Sequence, residues 1–170
     1  ALQLGNEVTY NELATKLGVN SITVQKYIDL LEQTNVVFKL NSFSRNIRTE
    51  LTKLFKIYFF DNGIRNAIIA QFNKLDSRDD VGALFENFVV MERLKNNSYK
   101  AKPGEVYFWR TYDGQEIDLV EERNGKLFGF EIKWSPKAKS KIPKDWRSKY
   151  KNAQYKIINQ ENYLDFIGVK

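Results

Sequence analysis

Apolar and polar positions follow two rhythms along this chain, a helical one in the first 100 residues and an alternating one after them. Thr9-Tyr10-Asn11-Glu12 reads as a capping box that opens a short helix to about residue 17, the hydroxyl and the carboxylate satisfying free backbone N–H groups. Gly18 ends that helix, and Asn20 or Ser21 caps a second one in which Val24, Ile28 and Leu31 recur at helical spacing. Residues 36–40 and 54–60 read as a strand and its return, joined by a polar loop carrying Arg45 and Arg48. A turn at Asp61-Asn62-Gly63 leads into a short helix over 64–72 and then a polar stretch over 73–80, which marks a domain boundary. The next helix, 81–95, offers Val81, Leu84, Phe85, Phe88 and Leu94 as its buried stripe. Beyond Lys102-Pro103-Gly104 the period shortens to two. Residues 105–110, 116–120 and 128–133 form a meander turning at Asp113-Gly114 and Asn124-Gly125, followed by a helix over 144–151 and a strand over 154–158. The expected class is therefore α+β or α/β, without internal repeats.

The second hairpin brings acids and a lysine together. Asn-Gly suits a two-residue type I′ loop, because both central residues need positive φ. Arg123 then pairs with Lys126, Asp118 faces Glu131, and Glu116 faces Lys133. Alternation puts those four on one face, with Gly129 leaving room beside them, and puts Ile117, Leu119, Phe128, Phe130 and Ile132 on the other. If Asp113-Gly114 is also a two-residue loop, Trp109 faces Asp118 and walls the acid face. Opposed carboxylates repel, which predicts a raised pKa for one of Asp118 and Glu131 in the absence of a cation. Mg²⁺ takes one or two carboxylates plus water and phosphate, so the pair suits it. Lys133 would orient or deprotonate a water, or neutralise charge on a phosphate. The competing reading is a solvated outer face on an amphipathic hairpin. Read locally, Glu86 is an edge residue of its helix.

Composition narrows the chemistry. With no cysteine and no histidine, zinc-thiolate and zinc-imidazole sites, Ser-His-Asp triads, Cys-His nucleophiles and disulfides are excluded. No apolar run approaches the roughly 20 residues that span a bilayer, and no secretory signal opens the chain, so the expected place is the cytoplasm, away from membranes. No G-x-x-x-x-G-K-[ST] loop is present, so ATP hydrolysis by this piece is not expected. An opening at Ala1 reads as a fragment or a processed chain. The net charge of +6 is concentrated: residues 133–156 hold nine Lys and Arg against Asp145 alone, leaving the rest at −2. Lys137, Lys139, Lys141, Lys144, Arg147 and Lys149, with Trp134, Trp146, Tyr150 and Tyr155 interleaved, fit contact with a phosphate backbone and stacking on bases. The same stretch also fits a solubilising surface with its aromatics turned inward.

Helix, tight turn, helix and two strands over residues 1–60 resemble a winged helix. That likeness puts Ser21, Thr23, Gln25 and Lys26 at the exposed start of a recognition helix and Arg45 and Arg48 in the wing. Seven basic against five acidic side chains make a weak DNA-reading surface there, so packing on a neighbouring domain is the preferred role. The later order of helix acid, meander, Asp118, turn and Glu131-Ile132-Lys133 resembles the PD-(D/E)xK, or restriction-endonuclease-like, superfamily. With residues 54–64, 82–89, 108–110 and 114–118 added, the chain resembles the C-terminal half of bacterial and archaeal predicted AAA-type ATPases, a region classed as a domain of unknown function. The resemblance implies a winged-helix module over 1–75, a nuclease-like domain with a central mixed sheet flanked by helices over 76–170, and an N-terminal P-loop ATPase outside this chain as partner and only site of ATP. It assigns Asp118, Glu131 and the Ile132 carbonyl to Mg²⁺ or Mn²⁺, Lys133 to the water or scissile phosphate, and Glu86 to the site as its helix acid. Ile117 stands where the superfamily has proline, and Glu116 is an added acid. The implied function is a Mg²⁺-dependent DNA phosphodiesterase attached to an ATPase. The alternative is an inactive nuclease fold that binds DNA or a protein and regulates that ATPase.

Overall fold

Thr9 caps helix α1 (Tyr10–Leu17) by accepting the Glu12 N–H at 3.1 Å, but the Glu12 carboxylate turns to Lys16 at 2.7 Å instead of reaching back. Gly18 closes α1 at φ 67°, and the Asn20 side chain accepts from Thr23 N–H at 2.7 Å to start α2 (Ser21–Gln33). Strands β1 (Glu7–Val8), β2 (Val37–Asn41) and β3 (Phe55–Phe59) form an antiparallel sheet in the order β1-β3-β2. Two residues are too few to alternate, so β1 left no pattern in the sequence. Val8, Ala14, Val24, Ile28 and Phe55 pack between helices and sheet, while Leu31 is exposed. The computed structural model describes residues 1, 3–44 and 54–169; Arg45 and Arg48 lie outside them.

Asp61 caps α3 (Asn62–Ile68), its Oδ1 accepting from Gly63 and Ile64, so this helix starts before the expected turn has ended. Helix α4 (Val81–Tyr99) buries Leu84, Phe85, Val89, Val90 and Met91 and leaves Phe88 half out. Two polar side chains lock it. The Asn87 amide takes both the N–H and the carbonyl of Phe59, at 2.7 and 2.9 Å. Arg93 forks onto Glu121 at 2.7 and 3.0 Å, a buried bidentate pair.

Strands β4 (Glu105–Arg110), β5 (Glu116–Arg123), β6 (Lys126–Ile132) and β7 (Gln154–Ile158) form a second sheet in that order, antiparallel except for β6 with β7. The fold is α+β with a mixed four-stranded sheet. One face packs on α4 and on α6 (Tyr163–Ile167) through Phe108, Leu119, Phe130 and Ile132. Leu40 and Tyr58 of the first sheet join that cluster, so residues on both sides of position 75 share one core. The other face is also apolar: Trp109, Ile117, Val120 and Leu127 pack on Trp146 of α5 (Lys144–Lys149).

Two register details correct the expected faces. Arg123 pairs with Lys126 and Leu119 with Phe130, as the Asn124-Gly125 turn requires, with Asn124 at φ 51° and Gly125 at φ 70°. The loop between β4 and β5 has three residues, Tyr112, Asp113 and Gly114, because Thr111 N–H bonds to Gln115 O. Trp109 therefore pairs with Ile117, not Asp118, and Trp109 is a fully buried member of the second core. Between the pairs Tyr107–Val120 and Trp109–Ile117, two residues of β5 oppose one of β4, a β-bulge at Asp118-Leu119. The bulge breaks alternation and moves Ile117 to the Trp146 side, away from Leu119, Phe130 and Ile132. Gly129 holds no open space either: a Cβ there would sit 3.2 Å from Ile117 Cδ1 and 3.4 Å from Trp146.

Candidate functional site

The sequence-predicted residues meet where the two sheets adjoin, in two linked groups. At the bulge, Asp118 divides its oxygens. Oδ2 accepts the Ile132 N–H at 2.8 Å, and Oδ1 lies 3.6 Å from Lys56 Nζ. Lys56 is 2% exposed and also meets Glu116 at 2.5 Å and Glu86 at 3.5 Å, above the Phe108 ring at 5.6 Å. Glu86 accepts from the Tyr58 hydroxyl at 2.7 Å, and Gly5, at φ 69°, leaves only 3.1 Å between an added Cβ and Glu86 Oε1. The second group is Glu131 with Lys133, at 2.7 Å.

Glu116 does not face Lys133. It sits opposite Arg110, which bonds it at 3.0 Å and Glu7 at 2.5 Å, because the β5–β6 pairs run only from Leu119–Phe130 to the turn. Nor is Glu86 an edge residue: it is a largely buried acid among Lys56, Tyr58 and Asp118. Sequence reasoning missed Lys56 as a site residue. Its signal was a lysine inside an otherwise apolar strand, flanked by Phe55 and Ile57. Such a residue is buried only if it is paired.

Burial raises the Glu131 carboxyl, and the Asp118 charge adds to it, against the Lys133 hydrogen bond. The direction matches the expected rise, but burial is its larger cause, and Asp118 and Glu131 are not among the register pairs of β5 and β6. Lys133 is lowered by burial but raised more by the Glu131 hydrogen bond and by the charges of Asp118, Glu131 and Glu86, so its net shift is upward. Lys56 is held well above its usual range, since Tyr58, Glu86, Asp118 and Glu116 outweigh burial. Glu86 is lifted by burial, with Asp118 adding to it and Lys56 opposing, from 4.5 to about 7.

A carboxyl raised on folding binds more protons in the native than in the unfolded state between those two values. The Glu86 contribution to stability is then fully present below pH 4.5 and is lost as pH rises through about 7. Glu86 accounts for up to about 3 kcal/mol of that loss. Urea denaturation of wild type from pH 5 to pH 8 is expected to show this decline, and Glu86→Gln to flatten it. Parallel curves for the two proteins would remove Glu86 from the titration.

Among the described residues, no group of three or more acids is close enough to hold a metal ion. Lys56 lies against Glu86, Glu116 and Asp118, and Lys133 against Glu131, so each of these acids already has an ammonium beside it. Asp118 and Glu131 offer oxygen atoms of the kind a hard divalent cation takes, and beside burial part of the rise in Glu131 is repulsion from Asp118. Lys137, Lys139, Lys141, Lys144, Arg147 and Lys149 are all exposed, along the segment leaving Lys133 and on α5. Lys26 is exposed on α2, an element separate from this cluster. Trp146 is fully buried, and Tyr150 and Tyr155 pack against its cluster, so of the interleaved aromatics only Trp134 is open to solvent.

The family model described as Domain of unknown function (DUF4143) matches residues 81–166, just over half the chain. A second, Domain of unknown function (DUF8612), matches residues 1–75. An uncharacterized protein of Mycobacterium bovis and one of Mycobacterium tuberculosis are each 34% identical over 124 residues, 72% of this chain and 27% of the relative. The chain thus spans about a quarter of the length of the curated relatives it matches. No solved structure matches it. Among the described residues no helix is long and apolar enough to cross a membrane.

Proposed function

Because the chain belongs to the Domain of unknown function (DUF4143) family and gathers its hairpin acids beside a lysine, we propose that it is a nuclease-like module with a Mg²⁺-dependent DNA phosphodiesterase site. The observation that carries this reading is the group Asp118, Glu131 and Lys133: two carboxylates whose charges repel, with Lys133 2.7 Å from Glu131 and Lys56 3.6 Å from Asp118. Asp118, Glu131 and the Ile132 carbonyl would hold the cation. Bound there, Mg²⁺ or Mn²⁺ supplies charge neutralisation at phosphate and a water of lowered pKa. Lys133, charged at neutral pH, places its ammonium against a phosphate oxygen. Glu86 meets Lys56, and when ionised it joins Asp118 and Glu116 in holding Lys56 charged, with Lys56 in turn 3.6 Å from Asp118. The exposed basic residues from Lys137 to Lys149 supply contacts to the backbone of the nucleic acid.

We place a winged-helix module in residues 1–75 as a connector, supported by the helix-turn-helix and strand pair, with the nuclease-like domain following it. A P-loop ATPase elsewhere in the parent protein is its proposed partner, a reading supported by matched relatives that extend well beyond this region. A second reading is favoured by one observation. Lys56 occupies the middle of Glu86, Glu116 and Asp118, as a built-in cation does in a site that no longer needs metal. In that case the fold binds DNA or a protein and regulates the ATPase. Incubation of the purified chain with single-stranded, duplex and branched DNA decides between them. Cleavage that appears with Mg²⁺ or Mn²⁺ and stops in EDTA is expected; retained binding without cleavage in either metal gives the second reading.

A further inference from the structure

Beside α4 lies a cavity of about 680 Å³, within the size range of small-molecule sites, whose wall combines Leu75, Val81 and Leu84 with four aromatic rings. Trp134, Phe85, Tyr163 and Phe88 follow one another edge to face, at centroid distances of 5.4, 5.5 and 6.1 Å. Trp134 is 37% exposed and Phe88 38%, so two rings present surface to an incoming group. Amides line the cavity too: Gln160, which is exposed, and Asn66, whose Oδ1 accepts from Arg78 at 3.0 Å and from Arg65 at 3.4 Å. Flat apolar faces with amide donors and acceptors at the edge are what an unpaired base demands.

The cavity is joined to the site by two neighbouring pairs of residues. Phe85 precedes Glu86, and Trp134 follows Lys133. The Phe85–Trp134 ring contact therefore lies one residue along the chain from both Glu86 and Lys133, and Lys133 senses the Glu86 charge. The basic stretch that would track a phosphate backbone starts at the same point. A strand running along Lys137 to Lys149 toward Lys133 has a base to place where Trp134 stands.

We infer that this cavity receives an unstacked nucleobase, so that the substrate is a single-stranded or end-frayed polynucleotide and not a closed duplex. The substrate class rests on the phosphodiesterase reading; binding of the base does not. Stacking on an aromatic ring is tolerant of base identity, so little sequence preference follows.

The probe is built in. Trp109 and Trp146 are fully buried, so Trp134 is the tryptophan whose emission a stacked base quenches. The whole chain in EDTA is titrated with a thymidylate decamer, an abasic decamer of the same charge, and a blunt duplex of equal length. The expected result is quenching by thymidylate alone, with affinity about tenfold above that of the abasic strand. Trp134→Ala, followed by anisotropy of a labelled decamer, removes that advantage, and Trp134→Phe restores most of it. Phe88→Ala, on the exposed side of α4, gives an independent loss should Trp134→Ala fail to keep native circular dichroism. Equal affinity for thymidylate and abasic strands overturns the inference, as does a natively folded Trp134→Ala that binds like wild type. Because no metal is present, this outcome is separate from cleavage. Base-dependent binding without metal-dependent cleavage removes the phosphodiesterase reading and leaves the cavity assigned, while cleavage with base-indifferent binding does the reverse.

Discussion

Lys56→Met is expected to destabilise the protein by about 3–5 kcal/mol at pH 8, because it removes the cation from a buried cluster while its carboxylates remain. Lys56 Nζ meets Glu116 at 2.5 Å, Glu86 at 3.5 Å and Asp118 at 3.6 Å, and its stem is enclosed. Methionine preserves the volume of that stem, so packing contributes little and the loss is electrostatic. Glu86, already lifted to about 7, would rise further without Lys56 and bind a proton in the variant across a wider pH range. The penalty therefore shrinks as pH falls from 8 to 5. Urea denaturation at the two pH values measures both effects. A loss below about 1 kcal/mol, or one equal at both pH values, would mean that Lys56 is not the counterion of these acids.

The turn chemistry of Asn124-Gly125 was legible because both residues need positive φ, and it set the β5–β6 register correctly as far as Leu119. The caps at Thr9 and Asn20 were legible for a similar reason, each being a local hydrogen bond between residues three apart. What local pattern does not encode is the bulge. One extra residue at Asp118-Leu119 turns Ile117 to the opposite face, and nothing in the alternation of Glu116 to Val120 marks it. Beyond the bulge strict alternation therefore puts Ile117 on the wrong face and Glu116 opposite Lys133, whereas Glu116 belongs to Lys56 and Arg110. Burial of both sheet faces was missed because Trp146 comes from α5, in a stretch whose charge pattern reads as surface. Glu86 looked ordinary for the converse reason. Its partners Lys56 and Tyr58 are about 30 residues away on β3, so only tertiary contact reveals the acid.

Lys133→Ala is expected to lower metal-dependent cleavage by about 10²- to 10³-fold, the usual cost of losing one preorganised group that meets developing charge. Its electrostatics decide its role. The net upward shift given by Glu131, Asp118 and Glu86 against burial keeps Lys133 charged throughout the neutral range. A lysine that serves as a base needs the opposite, a pKa brought down toward 7. Under the proposed function Lys133 is thus a cation for phosphate, since of the two roles open to it in the sequence the upward shift favours charge neutralisation. Lys133→Arg then retains a substantial part of the rate, since the charge survives, whereas a base would not be replaced by arginine. The pH profile carries the same sign. Glu131 must be ionised to hold a cation, and its carboxyl is raised by burial and by Asp118, so the rate climbs on the alkaline side of the usual glutamate range. No fall due to Lys133 follows until well above 10. Initial rates of wild type, Lys133→Ala and Lys133→Arg at a fixed Mg²⁺ concentration well below saturation, from pH 5 to pH 9, test this. Equal rates for wild type and Lys133→Ala would remove Lys133 from the reaction. A wild-type rate that falls near pH 7, with a Lys133→Arg as inactive as Lys133→Ala, would make it a base after all.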